Sequence, residues 1–208
     1  MSETSVERRA RSDGARSRSK ILDAAAKLAT IEGLEGLSIG RLADHIGMSK
    51  SGLYAHFGSK EELQLATIET AGKIFTKEVI APAERAASPL AKLEVVCEQF
   101  LSHVERRVFP GGCFFASAAA EFDTHPGAVR ERIAAFQHEW GDGLVRLVEG
   151  AQAAGELRPE EDAEQLAFEL TAHLLMANTA FLLYNSPEAI DRGRAAVAAR
   201  LALSRTGS

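Results

Sequence analysis

Apolar residues recur three or four positions apart along almost the whole chain, and this spacing limits most strongly what the chain can fold into. Such a period puts apolar side chains on one face of an α-helix, whereas a half-buried strand has them at every second position. Strand-like alternation is missing from the sequence, and β-branched residues are sparse beside abundant alanine. The sequence therefore predicts an all-α fold whose elements are separated at glycine and proline.

Four short helices are predicted in the first part of the chain. The first ends at Gly33, the second covers about residues 39–46, and Gly47 separates it from a third. The sequence Ser59-Lys60-Glu61-Glu62 is a capping box that opens a fourth helix of roughly 20 residues, toward position 81. Serines can cap the earlier helices: Ser17 or Ser19, Ser38, and Ser49.

Longer helices are predicted beyond residue 82. Ser88 followed by Pro89 is typical of a helix start, because proline is tolerated in the first turn. The Pro110-Gly111-Gly112 sequence interrupts the pattern after that helix. The remaining helices are predicted at about residues 114–122, 126–152, 160–184 and 187–203.

The charge distribution permits an anionic partner without identifying one. The chain carries a net charge of −5, but residues 1–60 hold ten Lys or Arg against seven Asp or Glu. A basic segment ahead of an acidic domain fits nucleic-acid binding, and it fits a solubilising tail as well. Charge alone leaves both interpretations open.

We expect a cytoplasmic protein. The N-terminal residues lack the apolar stretch of a signal peptide. The most apolar run, residues 168–184, is interrupted by Glu169, His173 and Asn178, so no membrane span is expected. Cys97 and Cys113 are too far apart for a CxxC site and fit a reducing compartment. The scattered histidines and cysteines lack the spacing of a metal site, and no cofactor is expected.

The sequence SIGRLADHIGMSKSGLYAHF, residues 38–57, has the form of a helix-turn-helix. Two short helices meet at a turn containing Gly47, and in such motifs the second helix enters the major groove of DNA. Apolar residues of both helices can fix the angle between them, and small Ala43 allows close approach. The outward positions of the second helix hold polar donors suited to phosphates and base edges: Lys50, Ser51, Tyr54 and His56.

This segment closely resembles the DNA-binding domain of the TetR family of bacterial transcriptional regulators. The family pattern is a hydroxyl residue capping the second helix, an "IA" pair, "aGvs", then "tlYxyFxsKeeL". The resemblance covers about residues 16–76, whereas the rest is similar only in being a helical domain of the right length. The matching elements are Ser38, Leu42-Ala43, Ile46-Gly47-Met48-Ser49, Leu53-Tyr54-Ala55-His56-Phe57 and Ser59-Lys60-Glu61-Glu62-Leu63.

The resemblance implies a homodimeric repressor that binds a palindromic operator and is released by a ligand. It divides the chain into a flexible basic arm (1–15), a helix-turn-helix domain (16–76) and an effector-binding and dimerisation domain (77–208). Lys50 and Ser51 match base-reading positions, and Gly40 replaces a long polar residue of some relatives, which leaves more discrimination to those two. The full set of expected DNA contacts is Arg16, Arg18, Ser38, Ser49, Lys50, Ser51, Gly52, Tyr54, His56 and Lys60. Arg16, Arg18 and Lys20 are expected along the DNA backbone as a flexible arm, although plain disorder explains such an arm equally well.

The C-terminal part offers candidate effector and dimer residues. Its bulky apolar side chains predict a pocket for a small apolar effector, with histidines as polar groups: Phe100, His103, Val104, Cys113, Phe114, Phe136, Trp140, Phe168, His173 and Met176. A filled core explains the same residues. Apolar residues of the last two helices predict a dimer interface, or else the closing of the monomer core: Leu166, Leu170, Leu174, Leu182, Val197 and Leu201.

Cys113 supports an alternative function. It follows two glycines and is predicted at a helix N-terminus, a position that lowers the pKa of a thiol. The alternative is a regulator that senses oxidants or electrophiles through this thiol. A cysteine-dependent enzyme is a more remote alternative, because the sequence shows no histidine spaced to activate the thiol.

Overall fold

The computed structural model describes the backbone of residues 3–207 and the side chains of residues 17–207. The described residues form helices joined by short turns, and the prediction of an all-α fold is confirmed. The helices are α1 (Glu3–Glu32), α2 (Ile39–Ile46), α3 (Lys50–Phe57), α4 (Lys60–Phe75), α5 (Pro89–Glu105), α6 (Phe114–Phe122), α7 (Ala128–Ala153), α8 (Ala163–Tyr184) and α9 (Glu188–Ser204).

Helices α1, α2 and α3 form the predicted N-terminal module. The backbone of α1 is helical from Glu3, so neither Ser17 nor Ser19 caps it as expected. The side-chain oxygen of Ser38 accepts a hydrogen bond from the Arg41 amide at 3.2 Å, which caps α2. Gly47 adopts a left-handed conformation with φ of 68°, which a residue with a side chain rarely adopts. This glycine sets the turn between α2 and α3.

Helix α4 connects the module to the rest of the protein. Ser59 caps it by accepting a hydrogen bond from the Glu62 amide at 3.1 Å, as the capping box predicts. The helix packs against α1 on one side and α7 on the other. It ends at Phe75 and continues as a π-helical turn (Thr76–Ile80) and a 3-10 turn (Ala81–Arg85), both packed on α5.

Helices α5 to α9 form the C-terminal domain. Helix α8 packs against α5, α7 and α9, and α6 lies between α7 and the end of α1. Phe75 contacts Phe136 and Trp140 edge to face, with ring centroids 5.4 and 5.3 Å apart. Helix α8 is long and apolar enough to cross a membrane by length and composition, a test that core helices of globular domains also pass.

Candidate nucleic-acid interface

Helix α3 buries apolar side chains on one face and exposes polar side chains on the other. Leu53 and Phe57 are buried, whereas the Tyr54 side chain is 57% exposed. Ser49 caps the helix by accepting a hydrogen bond from the Gly52 amide at 3.2 Å, and its oxygen lies 3.4 Å from that of Ser51. The amide of Gly52 therefore donates its hydrogen bond within the first turn of the helix. The polar side chains of the neighbouring residues point outward.

Lys50 lies across Gly40 of the neighbouring helix. A Cβ atom built on Gly40 would stand 3.5 Å from Cε and 3.6 Å from Nζ of Lys50, which is van der Waals contact. The Lys50 side chain is exposed. At that distance even an alanine at position 40 would leave the lysine in place across α2. This contact links the glycine at position 40 to the base-reading position predicted for Lys50.

Arg18 contacts α3 within the molecule. Its guanidinium lies 4.4 Å from the centroid of the Phe57 ring and donates a hydrogen bond to the main-chain oxygen of His56. A guanidinium stacks on an aromatic face and is favoured beside the unpaired carbonyls at a helix C-terminus. The structure thus holds Arg18 against α3, not in the flexible arm expected from the sequence. The side chain of Arg16 lies outside the described residues, and its DNA contact stays a prediction.

Lys60 and Arg41 are each paired with a carboxylate of this surface. Nζ of Lys60 is 2.8 Å from the Glu35 carboxylate, and Arg41 is 2.8 Å from that of Glu32. The hydrogen bond from Lys60 lowers the pKa of Glu35. Exposed ion pairs contribute only about 0–1 kcal/mol, so a DNA phosphate can replace the carboxylate at small cost.

His56 is half-buried and its ring centroid lies 6.1 Å from that of Phe57.

Glu121 of α6 joins the C-terminal domain to the loop that precedes α2. Its carboxylate accepts hydrogen bonds from the amides of Leu34 at 2.7 Å and Glu35 at 3.3 Å. Beside it, the amide of Gly111 donates to the Thr30 side-chain oxygen at 3.1 Å. Sequence reasoning missed Glu121, because these partners are 86 and 87 residues away along the chain.

The predicted effector pocket is almost filled by side chains. Its remaining cavity measures about 10 Å³, which is room for about one water molecule. Four of the predicted pocket residues line it, and they are Phe100, Cys113, Phe136 and Trp140. Val104 and Phe114 are buried in the surrounding core. The structure brings these residues together as a packed aromatic core and leaves no space for an effector at that point.

In α8, residues predicted to line the internal pocket are exposed, and residues predicted to lie at the dimer interface are buried or partly buried. Phe168 and Met176, expected in the pocket, are 70% and 57% exposed, and His173 lines an outer groove between α8 and α9. The residues expected at a dimer interface are instead buried or partly buried in the monomer core: Leu166, Leu170, Leu174, Leu182, Val197 and Leu201. Both corrections have one cause: α8 is apolar on two faces, so apolar spacing does not indicate which face points inward.

His103 is a buried polar residue without a hydrogen-bond partner. Among the described residues neither ring nitrogen has a partner, and the side chain lies between the rings of Phe75 and Phe109. Burial, with a smaller contribution from the charge of Arg106, lowers its pKa from 6.5 to about 4. His103 is therefore neutral at pH 7. His103 is not among the residues that line the 10 Å³ cavity, although it was predicted as a polar group of the pocket.

Cys113 lies at the N-terminus of α6, as expected, but its thiol is not activated. Burial raises its pKa to about 11, which outweighs the opposite effect of nearby backbone amides. Burial likewise raises the pKa of Cys97 to about 12. The expectation of a lowered pKa at Cys113 is wrong, because the helix start lies inside the core. A buried protonated thiol is a poor nucleophile.

Comparisons with known proteins agree with this geometry. Residues 21–67 match the model described as bacterial regulatory proteins, tetR family, and residues 89–197 match the tetracyclin repressor-like C-terminal domain. The curated transcriptional regulator AcuR of Cereibacter sphaeroides is 24% identical over 139 residues, which are 66% of this chain and 64% of that protein. The match thus spans less than two thirds of that regulator.

Solved structures extend the similarity to both domains. A TetR transcriptional regulator from Chloroflexus aurantiacus J-10-FL superposes with a TM-score of 0.85 at 28% identity, over 93% of this chain and 98% of that one. AibR, solved in complex with isovaleryl coenzyme A and operator DNA, has a TM-score of 0.70 at 24% identity, over 88% and 97% of the two chains. At this identity AibR supports a common fold.

Proposed function

The chain belongs to the TetR family of bacterial transcriptional regulators, and from this premise we propose that it is a cytoplasmic, ligand-released repressor acting as a homodimer on a palindromic operator. The observation that carries the proposal is the polar, exposed surface of the capped helix α3, with Lys50 and Tyr54 on it. Residues 16–76 form the DNA-binding part and residues 77–208 the effector-binding and dimerisation part, after a basic arm at residues 1–15.

The DNA contacts divide into two kinds. Lys50 and Ser51 read base edges, because they start α3 and are exposed there. Tyr54, His56 and Lys60 bind the phosphate backbone and set the orientation of α3. Ser38 and Ser49 hold the helix starts whose amides face phosphate. Arg18 supports the end of α3 from inside the module.

The outer surface of α8 and α9 is the dimer interface that we propose in place of the buried leucine stripe. A groove of about 470 Å³ lies between the two helices, with Met176, Tyr184 and Arg192 among its lining residues. Large apolar side chains exposed on this surface fit a second copy of the chain: Phe168, Met176, Leu183, Tyr184 and Leu203. A two-fold dimer would present two α3 helices to half-sites about 34 Å apart.

The effector is a small molecule with a substantial apolar part. The aromatic core around the 10 Å³ cavity can open only if neighbouring side chains move, so a ligand there would alter the packing of α4 through Phe75. AibR, which shares the fold, was solved with isovaleryl coenzyme A and operator DNA. A thiol sensor at Cys113 is disfavoured by the raised pKa of its buried sulfur.

The proposal is tested by DNA binding. Purified protein should retard a fragment from upstream of its own gene in the presence of excess unrelated DNA. Tyr54→Phe should weaken binding to all sequences alike, because a phosphate contact carries no base information. Arg85→Ala, an exposed cation on the 3-10 turn, is the matched control and should bind as the wild type does. Equal affinity of wild-type protein for every fragment would contradict the proposal.

A further inference from the structure

An open groove lies on the outside of the joint between α4 and α7. It measures about 460 Å³ and is lined by residues of α4, of the π-helical turn, of the 3-10 turn and of α7. Gly72 and Phe136 form its floor, where a Cβ atom built on Gly72 would stand 3.5 Å from the Phe136 ring. We name it the Arg132 groove, after the cation at its α7 side.

Arg132 connects the two helices across this groove. Its guanidinium hydrogen-bonds to the carboxylate of Glu69 on α4 and lies 3.6 Å from that of Glu139 on α7. The bond to Arg132 is the main cause that lowers the pKa of Glu69. Lys73 and Lys77 also line the groove, so it holds three cationic and two anionic side chains. Lys77 lies 3.6 Å from the carboxylate of Glu78, just outside the groove.

An apolar cleft adjoins the groove at Glu139. It measures about 250 Å³ and contains Trp140 and Leu147 of α7 together with Ile80 of the π-helical turn. Trp140 lines the small internal cavity as well. The surface thus offers a cationic site for an anionic group and, next to it, an apolar site for a chain that leads toward the aromatic core.

We propose that the Arg132 groove and its cleft bind a small amphiphilic carboxylate, whose carboxylate replaces Glu69 on Arg132 while its apolar chain lies along Ile80, Trp140 and Leu147. This inference rests on the proposed function, because it names the chemical class of the effector. Arginine pairs with a carboxylate through two parallel hydrogen bonds, so the ligand can reproduce what Glu69 provides.

The exchange would remove one of the contacts that hold α4 against α7. Glu69 belongs to the helix that begins at the DNA-contacting Lys60, and its bond to Arg132 ties that helix to the C-terminal domain. The bond is half-exposed, so its loss costs little and the apolar contacts of the ligand can exceed that cost. A ligand that binds the released form better than the DNA-bound form weakens DNA binding by the same factor.

The first test uses Trp140, the only tryptophan in the sequence, as a fluorescent reporter on DNA-free protein. Octanoate should change its emission saturably, and 1-octanol should bind about tenfold more weakly, because it lacks the charge that Arg132 pairs with. Equal affinity for octanoate and 1-octanol, or no saturable change with octanoate, overturns the proposal.

Two substitutions in the same ion pair should have opposite effects. Arg132→Gln removes the ligand's partner and should weaken octanoate about tenfold, whereas Glu69→Gln removes its competitor and should tighten octanoate. A purely structural role would shift both variants in the same direction, since each loses the same bond, and that result overturns the proposal. The matched control is Arg205→Gln, which removes an exposed arginine paired with Glu94 and should leave octanoate affinity unchanged.

A second measurement separates this inference from the proposed function. Octanoate should weaken the wild-type complex with DNA from upstream of the gene and have about tenfold less effect on that of Arg132→Gln. If the wild-type complex forms but octanoate leaves it intact, the effector assignment fails while the DNA-binding function stands. If octanoate binds as expected but the protein retards no fragment selectively, the DNA-binding proposal fails instead.

Discussion

Helices α3 and α8 each bury one face, and they differ in what the opposite face exposes. The exposed side of α3 is polar, with Lys50 and Tyr54, whereas the exposed side of α8 is apolar, with Phe168, Met176 and Leu183. Water solvates the polar surface of α3 well. Exposing the apolar surface of α8 to water costs free energy, and an apolar partner that covers it removes this cost. The two surfaces therefore suit different partners: a polyanion for α3 and another protein surface for α8.

The surroundings of α3 and the C-terminal domain also differ in the contacts that stabilise them. Around α3, a capping serine and the Arg18 contact hold a short helix that buries only Leu53 and Phe57. In the C-terminal domain, long helices pack on an aromatic cluster, and one polar ring, that of His103, is buried without a partner. We expect substitutions at α3 to change recognition, and substitutions in the C-terminal domain to change assembly or stability.

The largest effect is expected at the apolar surface of α8. Phe168→Glu combined with Leu183→Glu should convert the dimer to monomers at micromolar concentration, because each unpaired charge buried at an interface costs about 3–5 kcal/mol. Sedimentation velocity measures the mass, and circular dichroism checks that the helices remain. Arg85→Glu, an exposed charge change elsewhere, is the control and should stay dimeric. A dimeric double variant would contradict the assignment of this face.

The next effect concerns the stability of the C-terminal core. His103 has a pKa of about 4 in the fold, below the ordinary 6.5, so the unfolded chain takes up the proton first as pH falls. The folded state should therefore lose about 3 kcal/mol between pH 6.5 and 4 through this residue. In His103→Leu that part of the pH dependence should disappear.

Urea unfolding at several pH values measures this change. His138→Leu, the same substitution at an exposed position of α7, is the control and should keep the wild-type pH profile. A wild-type loss of stability that survives unchanged in His103→Leu would show that the neutral ring of His103 is not its cause.

At α3 the expected effect is smaller and depends on the DNA sequence. Lys50→Ala should reduce discrimination at one base position in each half-site by about 1–3 kcal/mol, the value of a good contact to a base edge. Competition binding with single-base variants of the preferred site measures it. Gly40→Ala is a useful companion, because the added methyl group would touch Lys50 at 3.5 Å without displacing it. Unchanged preferences at every position in Lys50→Ala would exclude Lys50 from base reading.

The smallest effect is expected at Lys60. Lys60→Ala should weaken binding to all sequences alike and reduce the slope of log affinity against log salt by about one unit, as the loss of one phosphate contact requires. Glu35→Gln frees Lys60 from its ion pair and serves as the opposite variant, with equal or tighter binding. A salt slope that is the same in wild-type protein and Lys60→Ala would mean that Lys60 touches no phosphate.

The two regions also differ in how much their sequence reveals. Near α3, serines, Gly47 and a capping box each impose a local conformation, so the helix limits and the outward residues could be predicted. In α8, Leu166 and Phe168 lie on opposite faces and both are apolar, so spacing predicts a helix without saying which face is inside. Burial there depends on α5, α7 and α9, which the local sequence does not describe.

Contacts between residues far apart along the chain could not be predicted from the sequence either. Arg132 lies 63 residues from Glu69, and Glu121 lies 87 residues from Leu34. Arginine and glutamate are common on solvated helix faces, so neither pair has a signature in one sequence. The pKa of Cys113 shows the same limit: its helix-start position was predictable, but its burial, which decides the pKa, was not.

We propose that two copies of α3 read a symmetric DNA site. Selection of binding sites from a pool of random double-stranded DNA with purified wild-type protein tests it most directly. We expect enrichment of one inverted repeat, with half-site centres about 10 base pairs or a multiple of that apart, and loss of the repeat in the Phe168→Glu, Leu183→Glu double variant. Failure to enrich any motif, or enrichment of a single half-site without its inverted partner, would contradict it.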